Sequence, residues 1–164
     1  MTGAVIIIIT YCGSIPSIVL YEERRRGEGR IYTSPGGSID KGETPIEAAI
    51  RETAEEAYLK FPVEALNGGV KIGNCYFWVV FINKVDRQKF LDIRFGEIKL
   101  KSVQKEMYDM THVPLENLVD SVRAGSRWVV NITGKRIRLR KEFYDALRYE
   151  NTLFGLIKNT IQRL

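Results

Sequence analysis

The sequence predicts a mixed α/β domain, and three segments carry this prediction. Residues 4–11, AVIIIITY, form a run rich in β-branched residues that is typical of a buried strand. Residues 44–60 combine helix start signals with apolar residues at helical spacing. From residue 140 to the end, apolar residues again recur at helical spacing, which indicates an amphipathic C-terminal helix.

The remaining segments predict the order β-β-β-α-β-β-α-α. Short β-rich runs before and after the first helix are separated by turns that contain glycine or proline. We expect strands at IVLYE and IYTS, one or two strands in residues 69–85, and a strand followed by a helix in residues 112–125. The segment ERRRGEGR is predicted to be a charged loop. Because the chain has no repeat, low-complexity tract or linker, residues 1–164 are predicted to form a single domain.

Composition restricts the class of protein. The chain has 164 residues, of which 45% are hydrophobic and 27% are charged, and these values favour a globular fold over disorder. The net charge of +5 favours anionic partners such as nucleotides, polyphosphates or RNA. Many basic proteins bind none of these, so charge alone does not identify the partner.

The cysteines and the first apolar run exclude two further classes. Cys12 and Cys75 have no CxxC or Cys/His spacing, so we expect buried, reduced thiols and no zinc site. The run AVIIII is too short to span a bilayer and has no basic residues before it. We therefore expect a cytoplasmic protein without a membrane partner, although a signal peptide removed earlier would leave no trace.

The first predicted helix has clear start signals. Thr44 is suited to the N-cap, Pro45 to the first helical position, and Glu47 to the acidic position of a capping box. Pro62 must end the helix. The predicted inward face consists of Ile46, Ala49, Ile50, Thr53 and Ala57.

Acidic residues cluster on the same predicted helix. Glu52 is three positions before Glu55 and four before Glu56, so the three carboxylates project from one region of the helix surface. Such like charges repel one another, whereas carboxylate oxygens are the ligands that Mg²⁺ prefers. The alternative is a solvated acidic helix with pairs such as Glu47 and Arg51. Gly36 and Gly37 would let the preceding loop approach the helix.

The spacing of these residues resembles the Nudix box, G-x5-E-x7-R-E-U-x-E-E-x-G-U, in which U is aliphatic. The matching positions, within residues 37–59, are Gly37, Glu43, Arg51, Glu52, Glu55, Glu56 and Leu59. Thr53 replaces an aliphatic residue and Tyr58 replaces the glycine at the helix end. Because tyrosine adopts a left-handed conformation at a cost, we expect the helix to continue toward Lys60.

The resemblance extends beyond the box, over roughly residues 4–120. YTSPGG before the box and THVPLENL after it are similar to segments found in the family. The resemblance implies an α/β/α sandwich with a mixed β-sheet, in which the box helix spans about residues 44–60.

The resemblance also implies chemistry, namely cleavage of a diphosphate linked to another moiety. Glu52, Glu55 and Glu56 would bind Mg²⁺ or Mn²⁺, with assistance from Glu43, and Arg51 would orient the carboxylates. Glu52 is one candidate for the base that activates water, and Glu56 is also expected to be a catalytic residue. A later acid is the other candidate, with Glu106 preferred over Glu97. His112 is expected to be a packing or pocket-wall residue.

The substrate is less well defined by the sequence. Basic clusters at residues 24–26 (Arg24, Arg25 and Arg26) and 135–141 suit a long polyanion, and Tyr32 and Tyr76 could stack on a base. Gly36 and Gly37 would also contact substrate. The candidates are capped RNA, a dinucleoside polyphosphate or an inositol pyrophosphate, with a nucleoside triphosphate as the alternative. The alternative from another functional class is a Nudix-like binding module without catalytic activity. Because the family often forms dimers, the chain is expected to be a monomer or a homodimer.

Overall fold

The computed structural model describes residues 2–100 and 107–163, and the side chains of residues 97–100 are outside that description. Within these residues, seven strands form one mixed sheet and two short strands form a separate hairpin. The sheet strands are β1 (Gly3–Cys12), β2 (Ile15–Arg25), β3 (Gly29–Thr33), β4 (Gly36–Ser38), β5 (Asn67–Ile72), β6 (Cys75–Phe81) and β7 (Asp109–Pro114). The hairpin consists of β8 (Trp128–Val130) and β9 (Arg136–Arg138).

Strand β1 lies at the centre of the sheet. It runs parallel to β6 and antiparallel to β2 and β4. Antiparallel pairing continues from β2 to β3 and β7, and from β6 to β5. The short strand β4 therefore places the double glycine directly beside the first residues of β1.

Helices cover both faces of the sheet. They are α1 (Pro45–Ala57), α2 (Arg87–Leu100), α3 (Leu115–Arg123), α4 (Lys141–Arg148) and α5 (Thr152–Gln162). Residues of α1 and α2 belong to the core on one face, and residues of α3, α4 and α5 to the core on the other. The prediction of an α/β/α sandwich with a mixed sheet is confirmed.

Burial on both faces explains the continuous apolar run in β1. Ile6 and Ile8 enter the core beneath α1, whereas Ile7 and Ile9 enter the opposite core. Because successive side chains of a strand point to opposite faces, a strand covered on both sides must be apolar at every position. All four isoleucines are buried, as predicted.

The start of α1 agrees with the predicted capping box. The Thr44 hydroxyl accepts a hydrogen bond from the Glu47 N–H, and the Glu47 carboxylate accepts one from the Thr44 N–H at 3.0 Å. Each side chain thus satisfies a backbone donor that the first helical turn leaves without a partner.

The predicted end of α1 is wrong. The helix ends at Ala57, and Tyr58 adopts the left-handed conformation, with φ 58° and ψ 34°. Tyr58 also packs against Phe90 of α2, with ring centroids 5.4 Å apart. This aromatic contact offsets the backbone cost that led us to expect a longer helix.

The prediction of one C-terminal helix is also wrong. Two helices, α4 and α5, are separated by Glu150 and Asn151, which have φ values of 47° and 58°. Left-handed residues interrupt a right-handed helix, so the apolar spacing continues across a break in the backbone. The break lets α4 and α5 each place an apolar face on the same core.

Other differences concern the basic loop and elements that the sequence did not indicate. Strand β2 extends to Arg25, so Arg24 and Arg25 lie in a strand and Arg26 in the following turn. This occurs because β2 remains paired with β3 as far as Arg25 and Gly29. The prediction also missed α2, whose charged residues obscure its helical period, and the short β8–β9 hairpin.

Replacement of Tyr58 should separate backbone strain from packing. We expect Tyr58→Ala to be less stable than the native chain, because it loses the contact with Phe90. Tyr58→Gly should be about 1 kcal/mol more stable than Tyr58→Ala, because glycine adopts a positive φ without strain. Urea unfolding measures both differences. An alanine variant as stable as the glycine variant would exclude backbone strain at this position.

An ion pair between β2 and α4 should make stability depend on pH. Arg25 donates two hydrogen bonds to Glu142, at 2.8 and 3.1 Å, and lowers the pKa of Glu142 to about 2. Because the pKa is lower in the folded chain than the unfolded value of about 4.3, this stabilisation exists at neutral pH and disappears as the pH falls from about 4.3 to about 2.

We therefore expect Glu142→Gln to lower the free energy of unfolding by about 0.5–1 kcal/mol at neutral pH, since the pair is partly exposed. The difference from the native chain should shrink toward zero at low pH. Urea unfolding over this pH range measures it. A difference that is the same at both ends of the range would contradict the role of the ion pair.

Candidate active site

Arg51 lies at the centre of the predicted acidic cluster. Its Nε donates to Glu43 at 2.7 Å and its Nη2 donates to the other oxygen of the same carboxylate at 2.9 Å. Its Nη1 donates to Glu52 at 3.2 Å and to Glu55 at 3.3 Å. Nη2 also donates to the carbonyl oxygen of Ser38 at the end of β4. One guanidinium therefore joins three acids to the strand that carries the glycines.

The bidentate contact between Arg51 and Glu43 is the strongest part of this network. It lowers the pKa of Glu43 to about 2, with a further contribution from the N–H of Asp40. The same contact raises the pKa of Arg51. Both groups therefore stay charged at neutral pH, and Arg51 offsets the repulsion among the acids of α1.

Glu52 and Glu56 are buried between α1 and β4. They are 2% and 7% exposed, which is unusual for carboxylates. The N–H of Gly36 donates to Glu56 at 2.9 Å. A Cβ atom at Gly37 would lie 2.5 Å from a Glu52 carboxylate oxygen, so any side chain at this position would displace the buried Glu52 carboxylate. The double glycine thus brings the backbone directly against both carboxylates.

Glu55 differs from its two neighbours because more than half of its side chain is exposed. Among the described residues, no three His, Cys, Asp or Glu side chains are grouped closely enough to hold a metal ion. Arg51 instead occupies the position between the acids. The donor set consists of carboxylate oxygens, and Gly37 adds no side chain above Glu52, so the chemistry suits a hard divalent cation. The metal ligands stay a prediction.

A cleft of about 650 Å³ opens beside this network. Gly36, Gly37 and Glu56 line one side of it, and Phe77 and Phe143 contribute apolar surface. This volume lies in the range of pockets that bind small molecules. The cleft therefore places Glu56 next to a space large enough for a nucleotide.

The cleft also contains cationic side chains. Arg24, one of the predicted substrate residues, lies over the ring of Tyr108 at 4.2 Å. Arg140, from the second basic cluster, pairs with Glu23 at 3.1 Å. Glu142 lines the same wall. The two basic clusters therefore each contribute one arginine to the cleft.

The structure does not bring all predicted substrate residues to the cleft. Arg25 pairs with Glu28 and Glu142, and Arg26 is exposed in the turn after β2. Tyr32 is buried and donates its hydroxyl hydrogen to Glu22 at 3.2 Å. Tyr76 stacks against Trp78, with ring centroids 6.3 Å apart. Neither tyrosine lines the cleft.

The structure describes the position of the single histidine of the sequence, whereas the side chains of both later candidate bases lie outside the described residues. Glu106 and the side chain of Glu97 lie outside the described residues. His112 is in β7 opposite Val19, and burial lowers its pKa. It does not line the cleft, so its position agrees with the expected packing role.

Sequence reasoning missed Tyr108, Glu23 and Glu142 as cleft residues. Glu23 is on β2 and Tyr108 lies just before β7, and the two residues reach the same cleft because these strands pair. Glu142 belongs to α4, more than a hundred residues from β2. No local signal marked these residues, whereas Arg140 was part of a visible basic cluster.

A family model described as the NUDIX domain matches residues 2–102, which is more than half of the chain. The chain belongs to the Nudix family. The resemblance noted in the sequence is therefore confirmed, and the Arg51 network is the structural form of its Nudix box.

One curated relative is similar over a short stretch. An RNA pyrophosphohydrolase of Brucella anthropi is 46% identical over 43 residues, which cover 26% of this chain and 25% of that protein. The match thus spans a quarter of the relative's length.

Solved structures support the Nudix fold. The NUDIX domain of Shewanella oneidensis NrtR, complexed with ADP ribose, matches with TM-score 0.60 and 12% identity, over 98% of this chain and 88% of that one. A mutT/nudix family protein from Listeria innocua matches with TM-score 0.57 and 17% identity, over 99% and 97%. A C. elegans Ap4A hydrolase matches with TM-score 0.50 and 20% identity, over 73% and 84%. At these identities the likeness shows the fold alone.

Across the described part of the chain, no helix has both the length and the apolar character needed to cross a membrane.

The close approach of Gly37 to Glu52 should make this position intolerant of a side chain. We expect Gly37→Ala to lower the free energy of unfolding by about 1–3 kcal/mol, because its Cβ would overlap the Glu52 carboxylate. Gly155→Ala in α5 is the matched control, since its Cβ would meet no atom within 4 Å. Urea unfolding measures both variants. Equal stability of the two would show that the glycine contact is not tight.

Proposed function

We propose that this Nudix protein is a divalent-metal-dependent pyrophosphohydrolase that cleaves a diphosphate linkage in a nucleotide-derived or polyphosphate substrate. The observation that carries the proposal is the Arg51 network, which joins Glu43, Glu52 and Glu55 on the same helix and loop as Glu56, the box acid that lines the cleft. A solvated acidic helix would not need two buried carboxylates beside a double glycine.

In this proposal, Glu52, Glu55 and Glu56 hold Mg²⁺ or Mn²⁺. When bound, such a cation neutralises charge on phosphate oxygens and makes a water molecule more acidic. Glu55 is exposed enough to turn away from Arg51 toward the other two acids. Arg51 would keep its bidentate contact with Glu43 and would position the Glu52 carboxylate through the hydrogen bond from its Nη1.

The proton of the attacking water requires a carboxylate acceptor. Glu52 is one candidate because it is buried beside Gly37. The other candidates are Glu106, in the segment that joins α2 to β7, and Glu97, near the end of α2. Arg24 and Arg140 would orient the phosphate groups of the substrate, since both line the cleft.

Capped RNA and small polyphosphates such as dinucleoside polyphosphates or inositol pyrophosphates are the leading substrate classes. The similarity to an RNA pyrophosphohydrolase over 43 residues supports the first class. The size of the cleft suits a nucleotide or polyphosphate group of either class. A nucleoside triphosphate is the alternative.

The proposal treats residues 1–164 as one Nudix hydrolase domain, because α3, α4 and α5 share a core with the strands of the matched region. We further propose a cytoplasmic protein that is a monomer or a homodimer.

A hydrolysis panel tests the proposal. The purified chain is incubated with Mg²⁺ or Mn²⁺ and with capped RNA, dinucleoside polyphosphates, inositol pyrophosphates, ADP-ribose or nucleoside triphosphates. We expect metal-dependent release of a phosphate-containing product from at least one substrate class, and no release in EDTA. The class with the highest kcat/KM identifies the substrate.

The matched control is the double variant Glu55→Gln, Glu56→Gln, which keeps side-chain size but removes two carboxylates. We expect turnover to fall at least about 100-fold, because changes behind metal ligands already cost 10–100-fold. Equal turnover by the double variant would contradict the assigned ligands. Absence of turnover on every substrate would favour a Nudix-like binding module without activity.

A further inference from the structure

A second groove lies outside the cleft, between the β8–β9 hairpin and β3. Its volume is about 370 Å³. We call it the hairpin groove, and its charged and aromatic lining consists of Glu28, Arg30, Tyr32, Trp128, Lys135, Arg136 and Arg138. None of these residues belongs to the Arg51 network or to the cleft, so the groove has no role in the proposed hydrolysis itself.

An exposed tryptophan forms the open aromatic surface of the hairpin groove, since the other aromatic lining residue, Tyr32, is buried. Trp128 is 45% exposed, whereas the other tryptophan of the sequence, Trp78, is 7% exposed in the core. The guanidinium groups of Arg136 and Arg138 lie 4.9 and 5.7 Å from the centre of the Trp128 ring. These contacts hold the indole in place on a two-stranded hairpin while leaving part of its surface open.

Positive charge dominates the groove. Among the described residues, Arg30, Lys135, Arg136 and Arg138 form no ion pair with a carboxylate. The single acid of the lining, Glu28, is neutralised from outside the groove by Arg25 at 3.2 Å and Arg127 at 3.0 Å. The four cations therefore carry charge that no carboxylate of the described residues neutralises, although the guanidinium of Arg138 also donates to the backbone carbonyl oxygen of Glu28.

The groove continues toward the cleft. Arg138 lines the groove and Arg140 lines the cleft, so about 7 Å of extended chain separates them. The N–H of Arg140 donates to the carbonyl oxygen of Tyr32, which fixes this segment against β3. The arginine row consists of Arg136 and Arg138 in the groove, and it leads along the chain to Arg140, which pairs with Glu23 and Glu142 at the cleft.

We propose that the hairpin groove binds a single-stranded nucleic-acid chain, with one base stacked on Trp128 and its phosphates on the arginine row. Exposed aromatic rings within a cationic groove are the features that bind such chains without sequence preference. An acidic peptide would use the cations but would leave the indole without a stacking partner. The inference rests on the proposed function in one respect, because it makes a nucleic-acid end the substrate class for the adjoining cleft.

Tryptophan fluorescence tests the groove directly. The probes are oligouridylate and oligothymidylate with 5′-hydroxyl ends, in EDTA, so that neither hydrolysis nor a metal is involved. We expect quenching of the exposed indole by either probe. The logarithm of the binding constant should fall with the logarithm of salt concentration with a slope of about −2.8, if four phosphates are contacted.

Variants separate stacking from charge, with binding followed by polarisation of a labelled probe. Trp128→Ala should weaken binding about fivefold or more, and Trp128→Phe should restore part of it while abolishing the fluorescence change. The pair Arg136→Gln, Arg138→Gln should reduce the salt slope by about 1.4. The control pair Lys89→Gln, Lys158→Gln makes the same change in net charge on exposed positions of α2 and α5, and should leave the slope unchanged.

Several results would overturn the inference. These are binding of neither probe, equal binding by Trp128→Ala and the native chain, an equal effect of the control pair, and equal quenching by oligoglutamate. Because the probes carry no diphosphate, failure of the hydrolysis panel leaves this test intact. Conversely, a failed binding test with an active enzyme would reject the groove alone and leave small polyphosphates as the substrate class.

Discussion

The contact between Arg51 and the carboxylates of α1 is the interaction on which the candidate site depends. Glu52, Glu55 and Glu56 lie close together on one helix, and their repulsion would oppose folding. Arg51 donates to Glu43, Glu52 and Glu55 at once and joins them to the carbonyl oxygen of Ser38. The guanidinium therefore fixes α1 against β4 and holds the acids beside the double glycine.

The sheet determines where this network lies. Strand β1 pairs with β4 on one side of its first residues and with β6 along its length, so Gly36 and Gly37 are held beside α1. The opposite wall of the cleft comes from α4, which Arg25 attaches to β2 through Glu142. Glu56 on α1 and the arginines of the cleft thus come from different elements of the sandwich, and the sheet fixes the space between them.

Basic residues have different roles although they are neighbours in the sequence. Arg24 lies over Tyr108 in the cleft, whereas Arg25 supports the fold. Arg138 lines the hairpin groove and Arg140 the cleft. Alternation along β2 turns Arg24 and Arg25 to opposite sides, whereas Arg138 and Arg140 differ in the partners that surround each of them. A cluster of charge in a sequence therefore does not correspond to one binding surface.

Local patterns in the sequence were sufficient for the buried strand β1, the capping box of α1, the α/β class and the Nudix box, because each depends on residues within one element. They were not sufficient for Tyr58, whose left-handed conformation is stabilised by Phe90 of another helix. Nor could they show that Tyr32 is buried, or that Glu142 approaches Arg25 from 117 residues away. Such contacts form only when the sheet brings distant segments together, since strand pairing and helix packing place residues independently of their separation along the chain.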